Sequence, residues 1–201
     1  MPDAESQPTD TTSQLTGTAG QPAGTSRADQ TIAQWRVAAE NHDAGQAIAC
    51  LADNVVLISP LTAQFTFDGR DRVGDVMIAA FKVIDDIRFH TEVGDDRTRA
   101  LFYTARCGHQ ALEEAQLIRL NHDGLITEIT LFGRPLPGLT AVMRRIVPLI
   151  LGRQGRPQLG RVLGVAAAPL HAITVSGEQR LVPLASPYRP RGLRWRRRAH
   201  R

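Results

Sequence analysis

The residues best suited to chemistry lie on one strand-like run, ALEEAQLIRL, at positions 111–120. Because side chains alternate between the two faces of a strand, the face that carries most of the aliphatic residues of this run also carries Glu114 and Gln116. A glutamate buried among aliphatic side chains has a raised pKa and is suited to general acid or base catalysis. A strand also often begins at a solvated rim, where Glu114 would have no catalytic role, and both interpretations stay open.

Two uncharged polar side chains accompany this glutamate. Gln116 has both a donor and an acceptor, so it would orient a ligand carbonyl or hydroxyl, or bond within the core to Ser59 or to backbone. Tyr103 lies on the apolar face of ALFYTARC, at 100–107. Its hydroxyl would reach a ligand, or its ring would fill the wall of the core.

No metal or nucleotide cofactor is expected. His90 alternates away from the apolar face of its strand, and His109 and His122 lie in turns, so none has the spacing of a ligand set. Cys50 and Cys107 fall in apolar runs and are expected to be buried thiols. The chain also lacks a glycine-rich phosphate loop.

The elements that must position these side chains form an α+β pattern. Apolar residues at helical spacing predict a helix capped by Asp29, followed by a short helix at 44–51. The next predicted elements are strands at 55–59 and 64–67 and a helix at 69–84, and then four strand-like runs at 87–93, 100–107, 111–120 and 125–132. Short turns separate these four runs, as in antiparallel hairpins. Helices followed by a meander predict an α+β fold.

Both ends of the chain differ from this middle part. Residues 1–27 are rich in Thr, Gly, Ser, Gln and Pro and predict a disordered tail. Residues 138–188 predict a helix over 139–151, with Pro148 inside it, and then a loosely structured extension. The helix would dock on its own domain, or on a groove, a partner or a membrane surface. Residues 189–201 form an arginine-rich tail.

The charge of the chain is unevenly distributed. The net charge is +4, but residues 189–201 contain seven arginines and no acidic residue, whereas residues 29–137 have a net charge of −6. A negative body repels phosphate, so a duplex-binding core is disfavoured. The basic tail would bind nucleic acid or an anionic membrane as a flexible arm, or stay solvated without a partner.

The sequence also bears on location. The weakly charged stretch 162–175 is shorter than the roughly 20 residues that span a bilayer, so it is not expected to cross a membrane. The first residues lack the basic start and apolar stretch of a signal peptide. A cytoplasmic location is therefore expected.

The order of the elements resembles a known superfamily. With LADNVVLISP at 51–60, Phe67-Asp68-Gly69 and NHDGLITEITLFGRP at 121–135, the chain resembles SnoaL-like members of the nuclear transport factor 2-like superfamily. The resemblance covers residues 29–135 and implies a SnoaL-like domain at 28–137. It implies a cystatin-like cone, in which a curved antiparallel sheet wraps around N-terminal helices and leaves a deep apolar pocket. Relatives include ketosteroid isomerase, polyketide cyclases, limonene-epoxide hydrolase and binding modules, so the fold does not decide the function.

The positions at which these relatives carry reactive groups hold other residues here. Ketosteroid isomerase needs an Asp base, a Tyr and a protonated carboxylic acid. By the resemblance, these positions fall on Ser59, Trp35 and Gln116, so that reaction is not expected. Trp35 is instead expected to line the core wall or to form a platform for a ligand.

The epoxide hydrolase type places acidic groups on the last core strands. By the resemblance, the pair on the first of these strands falls on Glu114 and Gln116. The residues of the final strand expected to face inward are Ile129 and Leu131, and the expected acid falls on Leu131. The donor and carboxylate pairs of that enzyme are therefore missing, and Glu114 is the one carboxylate expected near the pocket.

The sequence predicts a cytoplasmic protein that binds a small, mostly apolar molecule without the usual catalytic acids of its relatives. The residues expected to contact the ligand are Trp35, Ser59, Tyr103, Gln116, Ile129 and Leu131. One alternative is an isomerase, cyclase, hydrolase or dehydratase that acts on a polyketide-, terpene- or steroid-like compound through Glu114. Another is a protein-interaction module. The convex side of the sheet, with Ala100, Phe102 and Phe132, also predicts a homodimer.

Overall fold

A computed structural model describes residues 26–187 of the chain. The predicted arginine-rich tail and all but two residues of the predicted N-terminal tail lie outside that range. The elements are α1 (Arg27–Glu40), α2 (Ala44–Ala49), β1 (Leu51–Ile58), β2 (Phe67–Asp68), α3 (Arg70–Ala80), β3 (Asp85–Gly94), β4 (Thr98–Cys107), β5 (Gln110–Leu120), β6 (Ile126–Arg134), α4 (Leu136–Arg153) and α5 (Pro157–Arg180), followed by a 3₁₀ turn at Val182–Ala185. The α+β prediction is confirmed.

Helix α1 begins earlier than the sequence pattern indicates. Ser26 is its N-cap, and Asp29 is the third residue of the helix rather than the cap. The Asp29 backbone N–H donates to Ser26 Oγ at 3.1 Å, and the Ser26 N–H donates to Asp29 Oδ2 at 3.1 Å. Serine and aspartate are both good N-cap residues. The reciprocal capping box favours Ser26 as the cap, because the acidic residue Asp29 lies three positions after it.

One six-stranded sheet, in the order β2-β1-β6-β5-β4-β3, forms the wall of the fold. All neighbours pair antiparallel except β1 and β6, which are parallel. The expectation of a wholly antiparallel sheet is wrong at this pair, because β6 closes the meander beside β1 and runs in the same direction. Strand β2 is also shorter than the predicted strand at 64–67 and begins later, because it consists of Phe67–Asp68 alone. Side-chain turns at Ser59 and Thr62 bond the backbone of the loop before it.

A register shift in β3 changes which of its side chains face the core. Ile87 is buried and Phe89 packs against the core, as the alternation predicts. The pairing with β4 shifts between Phe89 and Thr91. As a result Thr91 and Val93 are exposed, contrary to the sequence pattern.

The C-terminal helices contribute more to the fold than the sequence indicates. Helix α4 continues past Pro148 and buries Val142, Ile146 and Ile150 in the core. Residues 157–180, expected to be loosely structured, form the single helix α5, which packs along α4. The expectation of loose structure is wrong, because small residues let α5 approach α4 closely.

Helix α5 also changes the expectation for the apolar stretch at 162–175. Within residues 26–187, the helical segment Pro157–Ala185 is long and apolar enough to cross a membrane, judged by length and composition, and almost none of it is buried. The apolar helix is therefore longer than the stretch 162–175 predicts.

Candidate functional site

The concave face of the sheet and helices α1, α3 and α4 surround a mainly apolar cavity of about 130 Å³. An engineered apolar cavity of about 150 Å³ accommodates benzene, so this space suits a molecule of about one ring. The seven residues singled out in the sequence all line it: Trp35, Ser59, Tyr103, Glu114, Gln116, Ile129 and Leu131. Their role in binding stays a prediction.

Glu114 is buried at the cavity wall, with only 5% of its surface exposed. The interpretation of Glu114 as a solvated rim residue is therefore wrong. Pairing in the sheet places Tyr103 of β4 directly opposite Glu114 on one side and Gly133 of β6 on the other. Leu139 of α4 packs over the same place, and this cover is what the sequence argument lacked.

Gly133 makes room for this arrangement. A Cβ atom built on Gly133 would lie 2.6 Å from Leu139 Cδ2 and 3.3 Å from Glu114 Cγ. No larger residue fits between the helix and the glutamate without displacing one of them. Sequence reasoning missed Gly133, although a glycine inside a strand often marks such a close approach.

Two hydrogen bonds join polar side chains in the cavity. Trp35 Nε1 donates to Gln116 Oε1 at 2.9 Å. Because an indole N–H only donates, it fixes the Gln116 amide with its NH₂ group on the other side. The Tyr103 hydroxyl donates to Glu114 Oε2.

Ser59 takes no part in these hydrogen bonds. Its hydroxyl oxygen accepts a hydrogen bond from the Leu61 backbone N–H at 3.1 Å. The suggested bond between Gln116 and Ser59 is replaced by the bond to Trp35, whose indole side chain the sequence argument assigned to the core wall or to a ligand platform.

The electrostatics of the cavity centre on Glu114. Burial raises the pKa of Glu114 from 4.5 to about 6, although the hydrogen bond from Tyr103 acts in the opposite direction. Burial and the nearby charge of Glu114 raise the pKa of Tyr103 well above its usual value, so the phenol remains a donor. Within residues 26–187, no basic side chain pairs with Glu114. The carboxyl group can therefore act as either acid or base near neutral pH.

Helix α4 supplies a wall of the cavity that sequence reasoning placed outside the domain at 28–137. Leu139, Val142, Ile146 and Ile150 all line the cavity. The last three residues recur at intervals of four, which is the spacing of one helix face and could have revealed their role. In the described part of the chain, no three His, Cys, Asp or Glu side chains are grouped as a metal site would need.

Comparisons with known proteins give a clear result for the fold. No protein-family model matches the chain, and no curated protein matches it. A solved protein from Silicibacter pomeroyi DSS-3, described as uncharacterized with a cystatin-like fold, is 26% identical, with 61% of this chain and 84% of that chain covered and a TM-score of 0.55. A steroid delta-isomerase from Pseudomonas aeruginosa is 25% identical, with 67% of this chain and 95% of that chain covered and a TM-score of 0.56. The chain has a cystatin-like fold.

A third solved structure, a SnoaL-like protein of unknown function from Burkholderia thailandensis, is 15% identical, covers 57% of this chain and 100% of its own, and has a TM-score of 0.47. The cystatin-like fold that the resemblance implies is confirmed.

Proposed function

We propose that this protein binds one small, mainly apolar molecule that carries a single hydroxyl or carbonyl group, and that Glu114 recognises that group. The observation that carries the proposal is a buried carboxyl group in the wall of an otherwise apolar cavity of about 130 Å³. An apolar pocket with a few convergent polar groups is the usual form of a small-ligand site. A filled interior would instead have favoured the protein-interaction module.

The free oxygen of Glu114 defines what the ligand offers. Oε2 accepts from Tyr103, and no donor within residues 26–187 is bonded to Oε1. When ionised, Oε1 accepts a hydrogen bond from a ligand hydroxyl; when protonated, the carboxyl group donates to a ligand carbonyl. Since the pKa of Glu114 is about 6, a hydroxyl ligand binds more tightly above pH 6 and a carbonyl ligand more tightly below it.

Cyclohexanol and cyclohexanone test this proposal because they differ in that one group. Calorimetric titrations of the full chain at pH 5 and pH 7.5 should give opposite pH trends for the two compounds. Glu114→Gln should remove both trends, and Val142→Phe, which fills the cavity, should abolish binding. A lack of binding for both compounds, or the same pH trend for both, contradicts the proposal. Native mass spectrometry of gently purified protein then searches for the natural ligand.

A second function is favoured by the environment of Glu114. A desolvated carboxylate with a pKa of about 6 and no basic partner in residues 26–187 is a suitable general base. The protein would then be an isomerase, cyclase, hydrolase or dehydratase that acts on a polyketide-, terpene- or steroid-like compound whose reacting ring fits the cavity. The steroid isomerisation of the Pseudomonas protein is not proposed, because a four-ring steroid exceeds the cavity and Ser59 stands at the position expected for the base.

Exchange of the α-protons of cyclohexanone for deuterium tests this second function. Glu114 would take a proton from the carbon beside the carbonyl, and the C–H electron pair would form an enolate. The proton on Glu114 would exchange with solvent, and Glu114 would return a deuteron to the same carbon, which restores the ketone. The exchange rate, followed by NMR in deuterated buffer, should rise with pH through about 6 in the wild type and fall to background in Glu114→Gln. Equal rates in the two proteins would leave binding as the function.

The convex face of the sheet supports a homodimer as part of the proposal. Phe102, Ala115 and Phe132 are direct cross-strand neighbours, and Phe132 is exposed. Phe132→Glu should convert the dimer to a monomer in sedimentation velocity, whereas Val37→Glu, at an exposed position of α1, should not. A wild-type chain that sediments as a monomer contradicts this assembly.

A cytoplasmic location also belongs to the proposal. Cys50 and Cys107 are both buried and unbridged, which suits a reducing compartment. The predicted binding of nucleic acid or anionic membrane by residues 189–201 lies outside the described residues.

A further inference from the structure

The outward face of α5 is apolar and has nothing packed on it within residues 26–187. The sixteen residues from 162 to 177 contain no Asp, Glu, Lys or Arg, and they span about 24 Å of helix. Val165 is 73% exposed and Ile173 is 68% exposed, and Val162 lies on the same side of the helix. A helix that faces water normally carries polar residues on such a face.

The opposite face of α5 is held firmly on α4. Cβ atoms built on Gly160 and Gly164 would lie 2.9 and 2.8 Å from atoms of Pro148, so both glycines permit the close approach of the two helices. The hydroxyl of Thr140 lies 3.0 Å from His171 Nδ1 and 2.9 Å from the Thr174 hydroxyl. These contacts fix the rotation of α5, and the apolar face therefore points away from the cavity domain.

Arginines border this apolar face at both ends. Arg161 precedes the uncharged stretch, and Glu178 and Arg180 follow it. No carboxylate in the described part of the chain pairs with either arginine. Residues 189–201, which follow α5 closely, add seven arginines and no acidic residue. The side of the molecule formed by α5 is therefore both apolar and cationic.

We propose that α5 lies in the surface of an anionic lipid bilayer, with its apolar face among the acyl chains and the flanking arginines at the lipid phosphates, and that the positive charge of residues 189–201 strengthens the attraction. A bilayer offers apolar depth and negative charge together, which no neutral apolar surface does. Long arginine side chains reach the headgroups while their helix lies deeper. The helix lies along the surface rather than across the bilayer, because spanning would detach it from Pro148 and place His171 and Thr174 in hydrocarbon.

Flotation of the full chain with lipid vesicles tests the proposal. Vesicles of phosphatidylcholine alone are compared with vesicles that also contain phosphatidylglycerol, at low and high salt. The wild type should float with the anionic vesicles, and high salt should weaken binding because it screens the arginines. The double variant V165D/I173D should lower partitioning at least about tenfold. Val37→Asp, at a position of α1 that is 51% exposed, is the matched control and should bind like the wild type.

A variant in residues 189–201 separates the contribution of these arginines from that of the apolar face of α5. Each arginine near an anionic surface adds about fivefold to partitioning, so the triple variant R196Q/R197Q/R198Q should also lose at least about tenfold. Circular dichroism of each variant verifies the fold. The proposal is overturned if the wild type stays in solution with both vesicle types. It is also overturned if V165D/I173D binds the vesicles as well as the wild type does, because residues 189–201 would then be the segment that binds lipid. It is also overturned if the wild type is a dimer that does not bind either vesicle type and V165D/I173D converts that dimer to a monomer. In that case α5 packs against a second copy of the chain.

Discussion

Replacement of Glu114 by Gln should remove a stability change that depends on pH. Burial raises the pKa of Glu114 from 4.5 to about 6, so between these values the folded chain holds more protons than the unfolded chain. Stability therefore falls as the pH rises through this window. A shift of about 1.5 units corresponds to about 2 kcal/mol, since one unit is about 1.4 kcal/mol. This cost is absent below pH 4.5 and fully present above pH 6. A glutamine of similar shape does not ionise and avoids it.

Urea unfolding at pH 4.5, 6 and 7.5, followed by the fluorescence of buried Trp35, measures this effect. The free energy of unfolding of Glu114→Gln relative to the wild type should rise by about 2 kcal/mol from low to high pH. Glu113→Gln is the matched control, because Glu113 lies on the other face of β5 and pairs with Arg134 at 2.6 Å. That variant should keep the fall seen in the wild type. Parallel pH curves for the wild type and Glu114→Gln would refute the account of a desolvated carboxyl group.

Three further substitutions test the cavity. Tyr103→Phe removes the hydrogen bond that stabilises the charged carboxylate, so the pKa of Glu114 should rise further, and the fall in stability should move to higher pH in the same urea experiment. Trp35→Phe leaves Gln116 Oε1 without its donor and should lower the free energy of unfolding by about 1–3 kcal/mol, measured by circular dichroism because the variant lacks the Trp35 fluorophore. No loss of stability would show that the bond is absent in solution. Ile146→Ala should cost about 2–5 kcal/mol if α4 belongs to the core, whereas a cost near zero would show that α4 is only an appendage.

Local patterns in the sequence determine much of the fold. Alternation in β5 assigns Glu114 and Gln116 to the buried face, and the short turns predict the antiparallel meander of β3 to β6. The parallel pairing of β1 with β6 depends on how the chain closes over α3, and no local pattern encodes it. The bulge in β3 likewise arises from pairing with β4, so alternation alone places Thr91 and Val93 on the wrong face.

The candidate site shows the same division. The sequence indicates which polar side chains share a face, but not that Leu139 of α4 packs over Gly133 beside Glu114 or that Glu114 is buried. Burial of that carboxyl group is a tertiary effect, and it raises the pKa of Glu114. The hydrogen bond from Trp35 to Gln116 joins residues 81 positions apart, so only the folded chain brings them together.

A carbon-13 NMR titration of the glutamate side-chain carboxyl groups, with and without cyclohexanol, tests the central claim most directly. One signal should titrate at about pH 6, disappear in Glu114→Gln and move to lower pH when cyclohexanol binds, because the alcohol donates to the ionised form. If every glutamate titrates near pH 4.5 and none responds to the alcohol, Glu114 is solvated and the cavity has no ligand site at that position.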